Sequence, residues 1–410
     1  MSLIHLKSHS YPAIFGISLL TFCFSLLAGC GGGGGSSTPA VSILAVGETG
    51  LSPTELLGKK IFFDTNLSEP RGMSCASCHS AGNAFAGNNG SQVGVPFGAT
   101  GVMGLRNTPS AMYTMYSPNF SVTADGPVGG QFLDGRAASL SDQAKAPFLS
   151  AAEMNNSSAQ AVITKIASSN YAELFKSIYG ATALANSSTA FENVAASLAA
   201  FQSTTRFTPF TSKYDDVLSG KAAFTLDEQR GMALFMSPTK GNCVACHVAS
   251  PSSSDSKDSL FTDFSYDNLG VPRNMGIPAN AVSSFFDLGL CGPKRSDFGA
   301  GGAAQDLTLC GAFKVPTLRN TAKKQAWMHN GYFKNLRDVV SFYATRDTNP
   351  TRWYSAVGGV LNKYDDLPVA YKANVNTTEV PYNRSLGDAP ALTELEVDLV
   401  VTFLQTLNDQ

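Results

Sequence analysis

The chain has 410 residues, of which 43% are apolar and 15% are charged, and its formal net charge is −2. This length and this apolar content are sufficient for two or three domains with their own cores. Because no basic patch or charge run is present, the composition argues against a nucleic-acid-binding protein. The 38 glycines and 20 prolines favour long, shaped loops between helices.

Residues 1–29 are typical of an export signal. After a short polar start, residues 13–27 form an apolar run about as long as a signal h-region and too short for a membrane-spanning helix. The run ends in Leu-Ala-Gly-Cys, which is similar to a bacterial lipobox, so we expect Cys30 to be lipidated. The alternative is ordinary signal cleavage nearby, with Cys30 lost or left free. Residues 30–50 follow as a Gly/Ser-rich tether, and Gly31 favours sorting to the outer membrane.

Two stretches then read C-x-x-C-H, which is the attachment signature of c-type haem. Two cysteines at this spacing add to the vinyl groups of one porphyrin, and the histidine supplies the proximal iron ligand. The alternatives are redox dithiols or halves of a zinc site, but a dithiol does not need the trailing histidine. The predicted haem-binding residues are Cys75, Cys78, His79, Cys243, Cys246 and His247.

Few other cysteines and histidines remain. Cys291 and Cys310 have no other assigned role, and in an oxidising compartment such a pair is most simply a disulfide. His329 is the last histidine outside the signal and the two motifs, so at most one haem could take a second histidine ligand.

The helix signals occur twice along the chain. Capping boxes at Ser52 and Thr225 each start a helix that leads to a haem motif. Helices are also predicted over residues 191–204 and 392–407, the second with its own capping box at Thr393 to Glu396. Few segments alternate like strands. We therefore predict an all-α fold of two cytochrome c-like haem domains with long loops, related by an internal repeat. The predicted domains are residues 51–210 and 211–410, with the boundary within residues 208–223.

Several blocks between and after these motifs resemble the bacterial di-haem cytochrome c peroxidases, in their MauG/MbnH-like branch. The resemblance covers the chain from about residue 51 to its end, and residues 346–350 and 363–368 are most similar to the MbnH type. The blocks that carry it are Arg106–Pro109, Phe132–Ala137, Ala152–Asn155, Phe313–Asn320 and His329–Gly331.

The resemblance implies that the N-terminal haem reacts with peroxide and that the C-terminal haem handles electrons. Many members block the reactive iron with a histidine in the loop before the Arg106 block. Here residues 90–105 contain no histidine, so the site should be open, unless Met103 covers it. An apolar loop methionine is more often a packing residue.

The resemblance also implies a distal acid at Glu153, accompanied by Gln143 and Pro147. A carboxylate beside the iron takes a proton from the inner peroxide oxygen and returns it to the outer one. The alternative is a solvated glutamate at a helix end.

The sixth ligand of the second haem is implied fourteen positions beyond His329, which is Tyr343. Leu336, Val339, Val340 and Tyr343 share one face of a predicted helix over residues 335–343. The alternative is a core tyrosine at Tyr343, with Met328 as the ligand. His329 is then expected to form hydrogen bonds at the haem edge.

One position departs from the family. Leu133 occupies the place of a tryptophan between the haems, and leucine cannot carry an electron hole. The family also binds one calcium ion between its domains, which implies the side chain of Asn107 and the backbone carbonyls near Lys324 and Ala326.

Two classes of function follow. The first is a haem-dependent peroxidase that uses hydrogen peroxide and takes electrons from a redox protein, or oxidises tryptophan in a partner protein. The second is an electron-transfer cytochrome without peroxide chemistry. An open first haem and Glu153 favour the enzyme, and we expect it to be an exported, periplasm-facing lipoprotein, anchored at the outer membrane.

Overall fold

The computed structural model describes residues 50–298 and 306–410. The predicted signal peptide, Cys30 and the tether up to residue 49 lie outside the described residues. Among the helices that the structure describes, none has both the length and the apolar character needed to cross a bilayer.

The fold is mainly helical, with long irregular loops and only very short strands, as the sequence predicts. The helices described are α1 (Pro53–Phe63), α2 (Cys75–Cys78), α3 (Leu140–Leu149), α4 (Ala159–Ala167), α5 (Ala172–Tyr179), α6 (Ser187–Gln202), α7 (Lys213–Leu218), α8 (Leu226–Met236), α9 (Leu336–Thr345) and α10 (Glu394–Gln405). The strands form three antiparallel pairs, which are β1 (Ser121–Thr123) with β2 (Gly126–Val128), β3 (Tyr266–Asp267) with β4 (Phe313–Lys314), and β5 (Ala356–Val357) with β6 (Val360–Leu361).

Helix α1 starts at the predicted capping box, which is confirmed. The Ser52 N–H donates to Glu55 Oε2 at 2.6 Å, while Ser52 Oγ accepts from the Glu55 N–H at 3.3 Å. The same helix packs closely on α6 at Gly58, where an added Cβ would lie 1.9 Å from the carbonyl oxygen of Ser197. Only glycine therefore permits this crossing.

Helices α8 and α10 repeat this arrangement in the second half of the chain. The Thr225 capping box is confirmed, with the Thr225 N–H donating to Glu228 Oε2 at 2.7 Å. A Cβ added at Gly231 would lie 2.0 Å from the carbonyl oxygen of Leu399, so this crossing also requires glycine.

Two large hydrophobic cores are present among the described residues, one built from residues within 56–207 and the other from residues within 214–407, beside a small cluster of Leu290, Phe298 and Ala312. Each holds a helix pair of the kind just described and the surroundings of one haem motif. Helix α7 joins them, and its Asp215 accepts two 3.0 Å hydrogen bonds from the fully buried guanidinium of Arg319. A buried pair of this kind needs both partners, because either charge alone would be costly to bury.

The two closing helices differ slightly from their predicted ranges. Helix α6 begins four residues before the predicted start because the Asn186 side chain caps it by accepting from the Thr189 N–H at 3.0 Å. The capping box predicted at Thr393 is confirmed, so helix α10 begins at Glu394, after the predicted residue 392, and both helices end two residues earlier than expected.

Candidate active site

One continuous cavity joins the two C-x-x-C-H motifs. All six predicted haem-binding residues line it, and most of its wall is apolar. The first motif forms α2, while the second begins with a 3₁₀ turn over Cys243–Ala245. The cavity therefore brings together the two motifs that the sequence separates by about 170 positions.

Both motif histidines are held in one orientation by a backbone carbonyl. The His79 Nδ1 lies 2.8 Å from the Phe85 oxygen, and the His247 Nδ1 lies 3.0 Å from the Phe261 oxygen. Burial lowers the pKa of both imidazoles, so both are neutral at neutral pH. With Nδ1 donating to the carbonyl, Nε2 keeps its lone pair for a metal.

The four motif thiols are unpaired and partly buried. Burial raises the pKa of Cys75 and Cys78 to about 12, and it raises the pKa of Cys243 and Cys246 to about 12 as well. A redox dithiol normally has a lowered pKa instead. Among the described residues no three histidine, cysteine, aspartate or glutamate side chains come close enough to hold a metal ion.

These observations fit two covalent haems. Each motif presents two thiols and one imidazole nitrogen to an apolar cavity, which is the donor set for thioether attachment and proximal ligation.

The three residues expected on the distal side of the first haem line the same cavity as its motif. Gln143 and Pro147 project from α3, and Glu153 follows in the next turn. The backbone fixes this turn, since the Glu153 carbonyl accepts from the Ala99 N–H at 2.7 Å. The Glu153 carboxylate raises the pKa of the nearby Cys78 thiol, after the larger effect of burial.

Two other sequence expectations concern the space around the first motif. Met103 is partly buried but is not part of the cavity wall, so nothing in its position favours the covering role. Leu133 does line the cavity, together with both motifs.

Tyr343 lies on α9, beside the second motif. The cavity wall includes it, and Leu336, Val339 and Val340 on the same helix are buried. Burial raises the pKa of the Tyr343 hydroxyl and Asp267 raises it further, while the neighbouring Tyr382 side chain lowers it. A phenolate ligand therefore depends on the charge of the metal itself, which reverses such shifts. Met328 also lines the cavity, so the position of Tyr343 in the cavity wall does not by itself distinguish Tyr343 from Met328 as the ligand.

His329 is engaged by protein groups. Its ring stacks on Phe313 with centroids 3.8 Å apart and planes 7° from parallel. Its Nε2 lies 3.2 Å from Asp366 Oδ2, and that carboxylate also accepts from Asn330 at 2.9 Å. This arrangement suits the expected hydrogen-bonding role better than a role as iron ligand.

A buried charge network that the sequence reasoning missed joins the two halves. Arg106 donates to Asp134 at 2.7 Å and forms a two-point contact with Asp287 at 2.6 and 2.7 Å. Burial alone would lower the pKa of Arg106, but Asp287 and Asp134 raise it above its ordinary value. Arg106 and Asp134 lie in two of the blocks that carry the family resemblance, whereas Asp287 lies outside all of them.

Asn107 reaches the segment implied in calcium binding. Its amide nitrogen donates to the Ala326 oxygen at 2.9 Å and to the Met328 oxygen at 3.3 Å. Calcium takes oxygen ligands, so binding there would require the amide to turn its oxygen inward. The residues fit a calcium site only in that flipped form.

The structure joins Cys291 and Cys310, with their Cα atoms 5.1 Å apart and a sequence separation of 19. Cys310 is fully buried, and its carbonyl accepts from Asn268 at 3.3 Å. Gly311, the next residue, lines the haem cavity.

Replacing both Cys291 and Cys310 by serine should lower the free energy of unfolding by about 3 kcal/mol, because a loop of this length is then open in the unfolded chain. Denaturant unfolding of the holoprotein measures it. Intact mass after alkylation without reductant is the control: two labelled thiols in the wild type would show that the bond is absent.

Comparison with known proteins agrees with this site. Residues 53–223 match the family model for di-haem cytochrome c peroxidase. The methylamine utilization protein MauG of Paracoccus denitrificans (strain Pd 1222) is 34% identical over 374 residues, which cover 86% of this chain and 88% of that protein.

Solved structures agree as well. The diheme peroxidase BthA from Burkholderia thailandensis E264 is 39% identical with a TM-score of 0.79, covering 88% of this chain and 89% of BthA. A MauG-like protein associated with microbial copper homeostasis shares the fold, with 23% identity, a TM-score of 0.60, and coverage of 88% and 90%. The chain therefore belongs to the di-haem cytochrome c peroxidase family, whose members are peroxide-dependent oxidoreductases that carry two haems.

Proposed function

We propose that this protein uses hydrogen peroxide at a haem held by the first motif, and passes electrons through a second haem held by the second motif. When bound, the two haems supply the redox-active irons for this chemistry. The observation that carries the proposal is the single cavity, which has a free carboxylate at one end and a tyrosine at the other.

Glu153 is the proposed proton carrier. Among the described residues no side chain or backbone group binds its carboxylate, so the oxygens are free to accept the proton of the inner peroxide oxygen and deliver it to the outer one. The side-chain amide of Gln143 can donate a hydrogen bond to the peroxide oxygen atoms. Pro147 has no N–H group and adds only apolar surface, which limits water near the carboxylate.

Tyr343 is the proposed axial ligand at the other end. The stacking of His329 on Phe313 and its contact with Asp366 support this, because a histidine held by these two contacts is not placed to ligate the iron. An anionic oxygen ligand stabilises oxidised iron, whereas a thioether from Met328 would favour the reduced state.

Two related haem domains, 51–210 and 211–410, are proposed as the repeat unit. The parallel between the crossings at Gly58 and Gly231 supports the repeat, because a Cβ added at either glycine would lie about equally close, 1.9 and 2.0 Å, to a backbone carbonyl oxygen of a closing helix. Leu133 cannot carry an electron hole, so a tyrosine or another tryptophan would have to carry it between the haems instead.

We further propose that the protein is exported through the signal in residues 1–29 and faces the periplasm as a lipoprotein attached at Cys30, at the outer membrane. One calcium ion, held by Asn107 and the carbonyls of Lys324 and Ala326, is proposed from the family resemblance. The Asn107 amide, which donates to the Ala326 carbonyl at 2.9 Å, would then have to turn its oxygen toward the ion.

The electron source or substrate is either a redox protein or a partner protein oxidised at tryptophan, as the similarity to MauG suggests. The test mixes the holoprotein with peroxide and a reduced c-type cytochrome. Steady peroxide-dependent oxidation of the cytochrome supports the peroxidase. Failure of that reaction, together with an unchanged mass of the tryptophan-containing peptides of a candidate partner protein after peroxide treatment, would reject both forms of the enzyme and favour the electron carrier.

A further inference from the structure

A second tyrosine, Tyr382, lies beside Tyr343. Their ring centroids are 5.7 Å apart and their planes are inclined at 36°. Both line the cavity that contains the second haem motif, and Tyr382 is 5% exposed. The two tyrosines are 39 positions apart in sequence, and only the tertiary fold brings them together.

Tyr382 is held from behind by a buried cation. The guanidinium carbon of Arg346 lies 4.4 Å from the centre of the Tyr382 ring. Arg346 is itself fully buried, and it donates to Asp347 at 2.8 Å and to the Asn376 oxygen at 2.6 Å. This network fixes one face of the Tyr382 ring, as a cation over an aromatic face does, and so limits where the ring can go.

The backbone of Tyr382 is also tied down. Its N–H donates to the Glu379 carbonyl at 2.6 Å, and the following chain leads into the core residues before α10. Among residues 50–298 and 306–410, the Tyr382 hydroxyl forms no close hydrogen bond, and Tyr343 is the neighbouring tyrosine in the cavity wall whose pKa it lowers. A buried tyrosine normally finds a partner for its hydroxyl, so the oxygen of Tyr343 is the acceptor that its position favours.

We infer that Tyr382 is a positioning residue that donates a hydrogen bond to the phenolate oxygen of Tyr343 and thereby sets the reduction potential of the C-terminal haem. The inference rests on the proposed ligation by Tyr343. A ligating phenolate oxygen has lone pairs and no proton, so Tyr382 is the donor in this pair. A donated hydrogen bond draws electron density from the phenolate and weakens its preference for oxidised iron.

The test is Tyr382→Phe, which removes the hydroxyl and keeps the ring. The midpoint potential of the C-terminal haem should fall. At a fixed applied potential, the ratio of oxidised to reduced haem should rise about tenfold, which is equivalent to about 59 mV for one electron. The phenolate-to-iron absorption band should remain and move. Tyr364→Phe is the matched control, because Tyr364 also faces Arg346, at 5.4 Å, and its hydroxyl binds Asp347 at 2.9 Å.

A second measurement needs no variant. In the wild-type holoprotein, the iron–phenolate vibration in resonance Raman spectra should shift when the solvent is changed from water to deuterium oxide. An unshifted vibration, an unchanged potential in Tyr382→Phe, or equal shifts in Tyr382→Phe and Tyr364→Phe would each overturn the inference. If the wild type shows no phenolate band at all, the proposed ligation by Tyr343 falls as well, whereas a phenolate band without these shifts rejects Tyr382 alone.

Discussion

Replacing Glu153 by glutamine should slow the reaction with hydrogen peroxide by roughly a hundredfold or more while both haems stay attached. The amide keeps the shape of the side chain and can still form hydrogen bonds. It cannot take up a proton and return it, which is the step assigned to this carboxylate. Stopped-flow mixing of the ferric holoprotein with peroxide measures the effect as the second-order rate of the absorbance change.

Glu192→Gln is the matched control for this prediction. Glu192 lies on α6 and pairs with Lys145 of α3 at 2.9 Å, so it contacts the helix that carries Gln143 and Pro147 but not the cavity. Its side chain is 58% exposed, and an exposed pair contributes little to stability. If Glu153→Gln reacts as fast as Glu192→Gln, Glu153 has no catalytic role.

Replacing Tyr343 by methionine should raise the reduction potential of the C-terminal haem by a few tenths of a volt, within the range of about 0.8 V that axial ligands span. A thioether stabilises ferrous iron, whereas a phenolate stabilises ferric iron. The variant should therefore accept electrons more readily from a reduced cytochrome and should oxidise a partner protein less well. Redox titration followed by visible absorption gives the potential.

Met328→Leu separates the two candidate ligands. If Tyr343 binds the iron, Met328→Leu leaves the potential and the ligand spectrum of the second haem unchanged. If Met328 binds instead, Met328→Leu removes the ligand and Tyr343→Met has little effect on the potential. That second pattern would contradict the assignment.

The local features could be predicted from the sequence because each depends on a few neighbouring residues. The capping boxes at Ser52 and Thr225 form hydrogen bonds between residues three positions apart, and a C-x-x-C-H motif is complete in five residues. The first residue of a helix is harder to predict, because a single capping side chain determines where the helix begins. Asn186 extended α6 toward the N-terminus in a segment without strong apolar periodicity.

Contacts between distant loops could not be predicted from these patterns. Arg106 meets Asp287 across 181 positions, and no spacing rule connects two such residues. Tyr382 stands in a loop without periodicity, so nothing in the sequence separates it from other buried tyrosines. Its approach to Tyr343 depends on the Arg346 network, which forms only when α9 packs against residues 376–382.

Electron paramagnetic resonance of the ferric protein as isolated tests the central claim most directly, because it reports the ligands of both irons without any substrate. The account predicts one high-spin signal from an iron bound by His79 with an open distal face beside Glu153. It also predicts one low-spin signal of the histidine–tyrosinate type from the iron bound by His247 and Tyr343. Two low-spin signals with histidine–methionine character would contradict the account, since both the open peroxide site and the tyrosine ligand would then be absent.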